Sequence, residues 1–250
     1  MNLILLRDDE LEGPDRAVLR GDRARHLIEV LGCEAGRRLR IGRPDGPKGW
    51  AVVEEVLGDD AEVRLEFELE GSIPPRPNVD LVIALPRPKV LRRLLEHIAT
   101  LGVSRVLVTN AARVEKSYFQ SALLEEGTFR EHLLKGLEQA GCTRVPRLQL
   151  FDRFRPFVED HLDSLLGDAR RLVAHPRAEK TLSGQDFQTN ERVAVAIGPE
   201  GGWQDFELDL LAGEGFEAVS MGERVLRVET ACTAVLAQLS VLVPRGSQSG

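Results

Sequence analysis

The sequence predicts an α/β protein with a small β-rich domain followed by a larger domain built on a mostly parallel sheet. Residues 1–70 alternate apolar and polar side chains between turn signals, which is typical of β-strands. Residues Gly71-Ser-Ile-Pro-Pro-Arg-Pro77 carry three prolines, which prevent regular structure and indicate a linker. From Val79 onward, short apolar runs alternate with helical patterns, the signature of a parallel sheet. We therefore expect domains at 1–72 and 73–241.

The first domain contains signals for a hairpin, a strand and a helix. Leu39-Arg-Ile41 and Ala51-Val-Val53 flank a turn-rich segment at 42–49, which predicts a hairpin. Residues 61–67 alternate in polarity like a half-buried strand. A helix is predicted from Asp22, the expected N-cap, to Leu31, with Gly32 as its stop.

The second domain is predicted to contain six strands and five helices. The strands are Asp80–Leu85, Arg105–Thr109, Leu148–Phe151, Arg171–Ala174, Val193–Ile197 and Ala218–Ser220. The helices are Lys89–Leu101, Glu125–Ala140, Phe157–Leu166, Asp205–Glu214 and Val228–Leu239.

Composition excludes several classes of protein. No apolar run is long enough to span a membrane and the N-terminus lacks a secretory pattern, so a cytoplasmic protein is expected. Three distant cysteines fit a reducing compartment and predict no metal cluster. Zinc and metalloprotease motifs are absent, and so are hydrolase motifs. The tail Leu242-Val-Pro-Arg-Gly-Ser247 matches a thrombin linker, so 242–250 are interpreted as an expression-tag remnant.

Charge is distributed unevenly along the chain. The net charge is −7, yet the first fifty residues carry a cluster of seven arginines: Arg20, Arg23, Arg25, Arg37, Arg38, Arg40 and Arg43. A basic face on an acidic protein can still bind RNA locally. Alternatively, the cluster is an ordinary solvated surface with no role in binding.

Two glycine-rich segments follow predicted strands in the second domain. Residues 198–202 follow one strand, and the segment from Met221 to Arg227 follows another. Ligands of open α/β sheets bind at the carboxyl ends of strands, and His175 also follows a strand. Since the GxGxxG and GxxxxGK[ST] motifs are absent, a dinucleotide or nucleoside triphosphate is not expected. Tight turns without a ligand remain the alternative.

Charged side chains near the last helix are candidates for chemistry. Arg227 follows apolar Val225 and Leu226, which indicates that it faces a site or pairs with Glu229. Arg144 lies in a polar turn after a helix. His97 and His132 lie on helices, and we interpret them as structural.

Together these residues resemble a known family. Four segments occur in the family's order: Glu138-Gln139-Ala-Gly141 with Thr143-Arg144-Val-Pro146, His175-Pro176-Arg177, Ile197-Gly-Pro-Glu-Gly-Gly202, and Gly222-Glu-Arg-Val-Leu-Arg227 with Glu229-Thr230. Arg25-His26-Leu-Ile-Glu-Val-Leu-Gly32 extends the likeness toward the N-terminus. The chain is similar over almost its whole length to the RsmE family of 16S rRNA (uracil-N3)-methyltransferases, in the SPOUT superfamily.

The resemblance implies a fold, a cofactor and partners. It implies a PUA-like β-barrel and a SPOUT domain with a deep trefoil knot at about 171–240, an exception to the rule that chains are unknotted. It implies a cytoplasmic homodimer that uses S-adenosyl-L-methionine, needs no metal or membrane, and methylates N3 of a uridine in 16S rRNA, within the small ribosomal subunit.

The resemblance also assigns residues to roles. The implied cofactor-binding residues are Ala174, His175, Ile197, Gly198, Gly201, Gly202, Met221, Gly222, Val225, Leu226 and Arg227. Arg227 and Glu229 are the catalytic candidates. Arg227 would stabilise charge on the uracil or hold a phosphate, and Glu229 would act as a base or orient Arg227 or the knot loop. The RNA-contacting candidates are Arg20, Arg23, Arg25, Arg40 and Arg144.

Some positions depart from the family pattern. Glu96-His97 stands where a Gln-Lys pair is usual, Val228 replaces the usual threonine, and 113–119 is typical of a distinct branch. Two other functions therefore stay open: methylation of a different RNA uridine, and a non-catalytic rRNA-binding assembly factor.

Overall fold

The computed structural model describes residues 2–58 and 61–244, and the described chain divides into two units. One contains the residues up to Pro75 together with Leu137–Val145, and the other contains Arg76–Gly136 and the residues from Pro146 onward. None of the helices among the described residues combines the length and apolar character that crossing a bilayer requires. Of the segment interpreted as a tag remnant, 245–250 lie outside the described residues.

The first unit is built on a five-stranded sheet. In the order in which they lie side by side, the strands are β1 (Ile4–Leu5), β3 (Arg38–Gly42), β4 (Lys48–Leu57), β5 (Glu62–Glu70) and β2 (Arg16–Arg20). All pairs are antiparallel except β1 with β3. One face is apolar and packs a core that includes Leu19, Ile41, Val53, Leu65 and Phe67.

The predicted hairpin and strand of the first unit are confirmed. Leu39 pairs with Ala51 across β3 and β4, and β5 contains the predicted strand at 61–67 apart from Ala61. Strands β1 and β2 were not predicted, because β1 has two residues and the centre of β2 is buried without alternation.

The helix of the first unit begins earlier than predicted. Helix α1 (Gly21–Arg25) continues as a π-helical turn at His26–Val30. The N-cap is Arg20, so the prediction of Asp22 as N-cap was wrong. Gly21 has φ +59, which lets the chain turn directly from β2 into the helix, and Asp22 falls in the first turn. The stop at Gly32 is confirmed, since its φ of +58 is left-handed.

The second unit contains the predicted parallel sheet of six strands. Their order is β11 (Glu217–Val219), β9 (Arg170–Ala174), β10 (Val193–Ile197), β6 (Val79–Ala84), β7 (Arg105–Thr109) and β8 (Arg147–Phe151). Every neighbouring pair is parallel. The carboxyl ends of all six strands therefore lie along one edge.

The helices of the second unit agree with prediction except at their ends. They are α2 (Pro88–Leu101), α3 (Glu126–Ala140), α4 (Phe154–Pro156), α5 (Asp163–Leu166), α6 (Asp205–Gly213) and α7 (Val228–Leu242), with a π-helical segment at Phe157–Leu162 between α4 and α5. The segment predicted to start at Phe157 starts at Phe154, whose ring is buried against Trp203. Helix α7 packs against α2.

The segment Leu137–Val145 belongs to the first unit through specific hydrogen bonds. The Thr143 hydroxyl donates to the Gly46 carbonyl at 2.7 Å, and the Asp45 amide donates to the Thr143 carbonyl at 2.7 Å. The Leu3 amide donates to the Glu138 carbonyl at 3.1 Å. The end of α3 and the turn after it therefore complete the first unit.

Candidate active site

Three loops that carry the predicted cofactor residues start at neighbouring strand ends. Strand β9 lies between β11 and β10 and ends at Ala174, while β10 ends at Ile197. The His175 amide donates to the carbonyl of Val219, the last residue of β11, at 2.9 Å. The fold thus brings the starts of all three segments to one edge of the sheet.

The glycine-rich loop after β10 is held by packing against two side chains. A Cβ on Gly198 would lie 3.1 Å from the Trp203 indole, and one on Gly201 would lie 2.7 Å from Cδ of Arg113. Gly202 has φ +76, and its amide donates to the Pro199 carbonyl at 2.8 Å. Hence packing within the protein already favours glycine at 198 and 201, whether or not a ligand approaches.

Two residues that the sequence did not single out anchor this loop. Arg113 donates a hydrogen bond to the Gly201 carbonyl. Glu207 is fully buried and accepts from the amides of Ala112 and Gln204, each at 2.8 Å. The spacing Gln204-x-x-Glu207 forms a capping box at the start of α6, which was the available signal for Glu207.

Backbone groups of the loops are left free for a ligand. Among the described residues, the amides of Gly198, Glu200 and Gly201 donate no hydrogen bond, and neither do those of 221–226. Backbone donors that lack a protein partner bind solvent or a ligand. A small molecule with polar edges, such as an adenine nucleoside, suits such a set, so the loops fit the expected cofactor.

The loop from Met221 to Arg227 is more open than the other two. Met221 and Leu226 are half-buried, Gly222 has φ +120, and Val225 is 81% exposed. Arg227 is the N-cap of α7 and its side chain is exposed. The loop therefore presents both apolar and cationic groups near the start of the last helix.

The proposed pairing of Arg227 with Glu229 is not formed. A role for Glu229 in orienting Arg227 or the proposed knot loop stays a prediction, but within residues 2–58 and 61–244 no hydrogen bond or ion pair joins the two side chains. The geometric reason is that Glu229 lies in the first turn of α7, half-buried, near Cys232. The Arg227 guanidinium thus has no side-chain partner within the described ranges and is exposed.

Hydrogen bonds within the turn after β9 hold His175 in place. Its Nδ1 lies 3.3 Å from the Arg177 amide, which donates to it, and its carbonyl accepts from the Ala178 amide at 3.1 Å. The ring is half-buried. These bonds fix the turn that leaves β9 beside the end of β11.

The arginines predicted to contact RNA differ in their surroundings. Four of them pair with carboxylates: Arg20 with Glu12 and Glu62, Arg23 with Glu10 and Glu138, Arg25 with Asp22, and Arg144 with Asp45. Arg40 instead lies over the Trp50 ring, 4.9 Å from its centroid. Among the described residues, no cluster of three or more His, Cys, Asp or Glu side chains has the arrangement of a metal site.

Comparison with known proteins identifies close relatives. The model of the RNA methyltransferase domain matches residues 74–240. The ribosomal RNA small subunit methyltransferase E of Treponema pallidum is 34% identical over 95% of this chain and 90% of its own length. The protein of the same name from Synechocystis sp. is 48% identical over 87% of this chain and 70% of its own.

Solved structures share the fold. A ribosomal RNA small subunit methyltransferase E from Neisseria gonorrhoeae, bound to S-adenosyl methionine, superposes with a TM-score of 0.77 at 21% identity, covering 97% of this chain and 98% of that one. A putative methyltransferase from Legionella pneumophila gives 0.76 at 23% identity, covering 98% of each. Both likenesses extend over both units of this chain.

Proposed function

Because the chain belongs to the family of ribosomal RNA small subunit methyltransferase E, we propose that it methylates N3 of one uridine in 16S rRNA, using S-adenosyl-L-methionine. The observation that supports this most directly is the set of three neighbouring loops with free backbone amides at the carboxyl edge of the parallel sheet. That edge is where open α/β sheets bind ligands.

The cofactor would be held by residues from all three loops. They are Ala174 and His175 after β9, Ile197, Gly198, Gly201 and Gly202 after β10, and Met221, Gly222, Val225, Leu226 and Arg227 before α7. S-adenosyl-L-methionine supplies a methyl group that its sulfonium already makes electrophilic. The loops have to hold that group in one orientation, for which the anchors Arg113 and Glu207 are well placed.

The chain's own residues have two tasks at the uridine. N3 carries a proton and normally pairs, so the base must be unpaired or flipped out before N3 is aligned for attack. N3 must lose its proton, to Glu229 or to water, and this loss places negative charge on the uracil oxygens. The N3–C bond would then form as the methyl–sulfur bond of the cofactor breaks. A guanidinium suits that charge, and the exposed Arg227 side chain forms no hydrogen bond or ion pair with the described residues. Binding of the nucleotide phosphate is the other role open to it.

The finer architecture follows from family membership. We infer that residues 1–72 form a PUA-like barrel that binds rRNA, and that 73–241 form a SPOUT domain knotted at about 171–240. Beside the end of β11, Thr181 forms a parallel bridge with Ser220, and the Leu182 amide donates to the Ser220 carbonyl at 2.8 Å. We also infer a cytoplasmic homodimer that acts on the small ribosomal subunit.

Nucleoside mass spectrometry tests the reaction. We expect 3-methyluridine to disappear from the 16S rRNA of a deletion strain and to return with the gene. If it persists, purified protein and S-adenosyl-L-methionine should be incubated with other RNAs. Methylation of one of these RNAs would identify it as the substrate in place of 16S rRNA. Absence of methylation on every RNA tested would favour a non-catalytic rRNA-binding factor.

A further inference from the structure

Trp50 and two arginines form a cluster on the exposed face of the first unit. The guanidinium carbons of Arg38 and Arg40 lie 4.7 Å and 4.9 Å from the Trp50 ring centroid. Arg40 stands directly opposite Trp50 across β3 and β4. Because successive strand residues point to opposite faces, Arg38 and Arg40 share one face while Leu39 between them is buried.

Neither guanidinium group forms an ion pair within the part of the chain that the structure describes. Among the described residues, neither Arg38 nor Arg40 has a carboxylate within ion-pair distance, and both side chains are exposed. Lys48 lies two residues before Trp50 on the same face and likewise has no ion pair there. By contrast, the other arginines predicted to contact RNA all face carboxylates. The cluster therefore presents three basic side chains that form no ion pair with the described carboxylates.

The contact with Trp50 orders the arginines without neutralising them. A guanidinium over an indole is attracted by the ring's quadrupole and loses side-chain freedom before any ligand arrives. A planar guanidinium presents several N–H donors in a fixed fork, which matches the oxygens of a phosphate. Ordered, unpaired guanidinium groups are what a phosphate-binding surface requires.

We propose that Arg38, Arg40, Lys48 and Trp50, here called the Trp50 cluster, bind the backbone phosphates of the RNA substrate. The proposal rests on the proposed function, because it assigns the surface through which this methyltransferase holds its rRNA. Of the five arginines predicted to contact RNA, the proposal keeps only Arg40. It adds Arg38, Lys48 and Trp50 as further RNA-contacting residues.

Acidic side chains on the neighbouring strand limit where the RNA can lie. Glu66, Glu68 and Glu70 of β5 are exposed, and they stand opposite Val52, Trp50 and Lys48 respectively. Residues directly opposite on a sheet lie within about 5 Å at Cβ, well inside the screening length of roughly 8 Å at physiological salt. We therefore place the RNA backbone along β3, away from β5. Removing the Glu68 charge should strengthen binding.

The salt dependence of RNA binding by the full chain tests the proposal. Dissociation constants for in vitro transcribed 16S rRNA would be measured from 50 to 300 mM KCl. For R38Q/R40Q, the loss of two phosphate contacts should make the negative slope of log affinity against log salt shallower by about 1.4, at about 0.7 per contact. Affinity at the lowest salt should fall at least tenfold. Binding equal to that of the wild type would overturn the proposal.

Three further variants separate charge from packing. Arg64→Gln is the matched control, because Arg64 is exposed on the same sheet but already paired with Glu62 at 2.9 Å, and it should bind like the wild type. Trp50→Leu keeps both charges, so affinity should fall several-fold with the slope unchanged. Glu68→Gln should bind RNA several-fold more tightly, and a loss of affinity would contradict the placement along β3.

Methyl transfer distinguishes failure of this proposal from failure of the proposed function. In R38Q/R40Q, KM for rRNA should rise while kcat and cofactor affinity stay at wild-type values. If the wild type binds rRNA but transfers no methyl group, the proposed function fails. The binding measurements on the variants would then still show whether the Trp50 cluster binds RNA. A fall in kcat with unchanged KM would count against a phosphate-binding role.

Discussion

Arg113 and Gly201 are in close contact at the candidate site. Arg113 follows β7, donates to the Gly201 carbonyl and fills the space that a side chain at 201 would need. A loop proposed to bind the cofactor is thereby tied to a segment that contributes no cofactor residue of its own.

Gly201→Ala should weaken cofactor binding. The added Cβ would meet Cδ of Arg113 at 2.7 Å, and such overpacking costs about 1–3 kcal/mol. We expect roughly tenfold weaker binding of S-adenosyl-L-methionine by isothermal titration calorimetry. Gly213→Ala is the control, because Gly213 lies in α6 with open space around its Cβ position. Equal affinity of Gly201→Ala and the wild type would show that the contact does not shape the site.

Arg227→Ala should slow methyl transfer far more than it weakens cofactor binding. If the guanidinium stabilises charge on the uracil, its loss should lower kcat by about 10²- to 10³-fold. Single-turnover methylation of rRNA measures this directly. Arg227→Lys should recover part of the rate, since a positive charge is kept. Wild-type turnover by Arg227→Ala would remove this residue from the chemistry.

Asp80→Asn should destabilise the second unit. Asp80 is 2% exposed and accepts from Arg105 at 2.6 and 3.1 Å and from Arg192 at 3.0 Å. Removing one member of a buried ion pair costs about 3–5 kcal/mol, because the remaining charge loses its partner. Urea unfolding would measure the loss. Arg192→Gln removes the more exposed partner and should cost about 1 kcal/mol or less; equal effects would contradict this ranking.

Cys232 should resist thiol reagents while the protein is folded. Burial, and then the nearby Glu229 charge, raise the pKa of the Cys232 thiol far above its ordinary value. Burial also raises the pKa of Cys33. Since the thiolate is the reactive form and a higher pKa lowers its fraction, neither should react with iodoacetamide at pH 8. Half-buried Cys142 should be labelled first, as peptide mass spectrometry would reveal. Equal labelling of Cys232 and Cys142 would refute the prediction.

Local sequence patterns predicted most elements of the fold. All six strands of the parallel sheet were identified within a residue or two, because each is a short apolar run ended by a turn residue. Gly32 and the prolines at 74–77 were interpreted correctly, because backbone preferences act within a few residues. Strands β1 and β2 were missed, since β1 has only two residues and β2 has a run of only three buried residues.

The sequence by itself determined the six strands of the parallel sheet, most of the helices and the stop at Gly32, together with the family and hence the chemistry to expect. Only the tertiary structure decided which arginines are free, since Arg20 and Arg40 look alike in the sequence, yet one meets Glu12 and Glu62 and the other meets Trp50. It also brought Arg113 to Gly201 across 88 positions. Periodicity and turn preference are local properties of a chain, whereas charge pairing and close packing depend on residues that are distant in sequence.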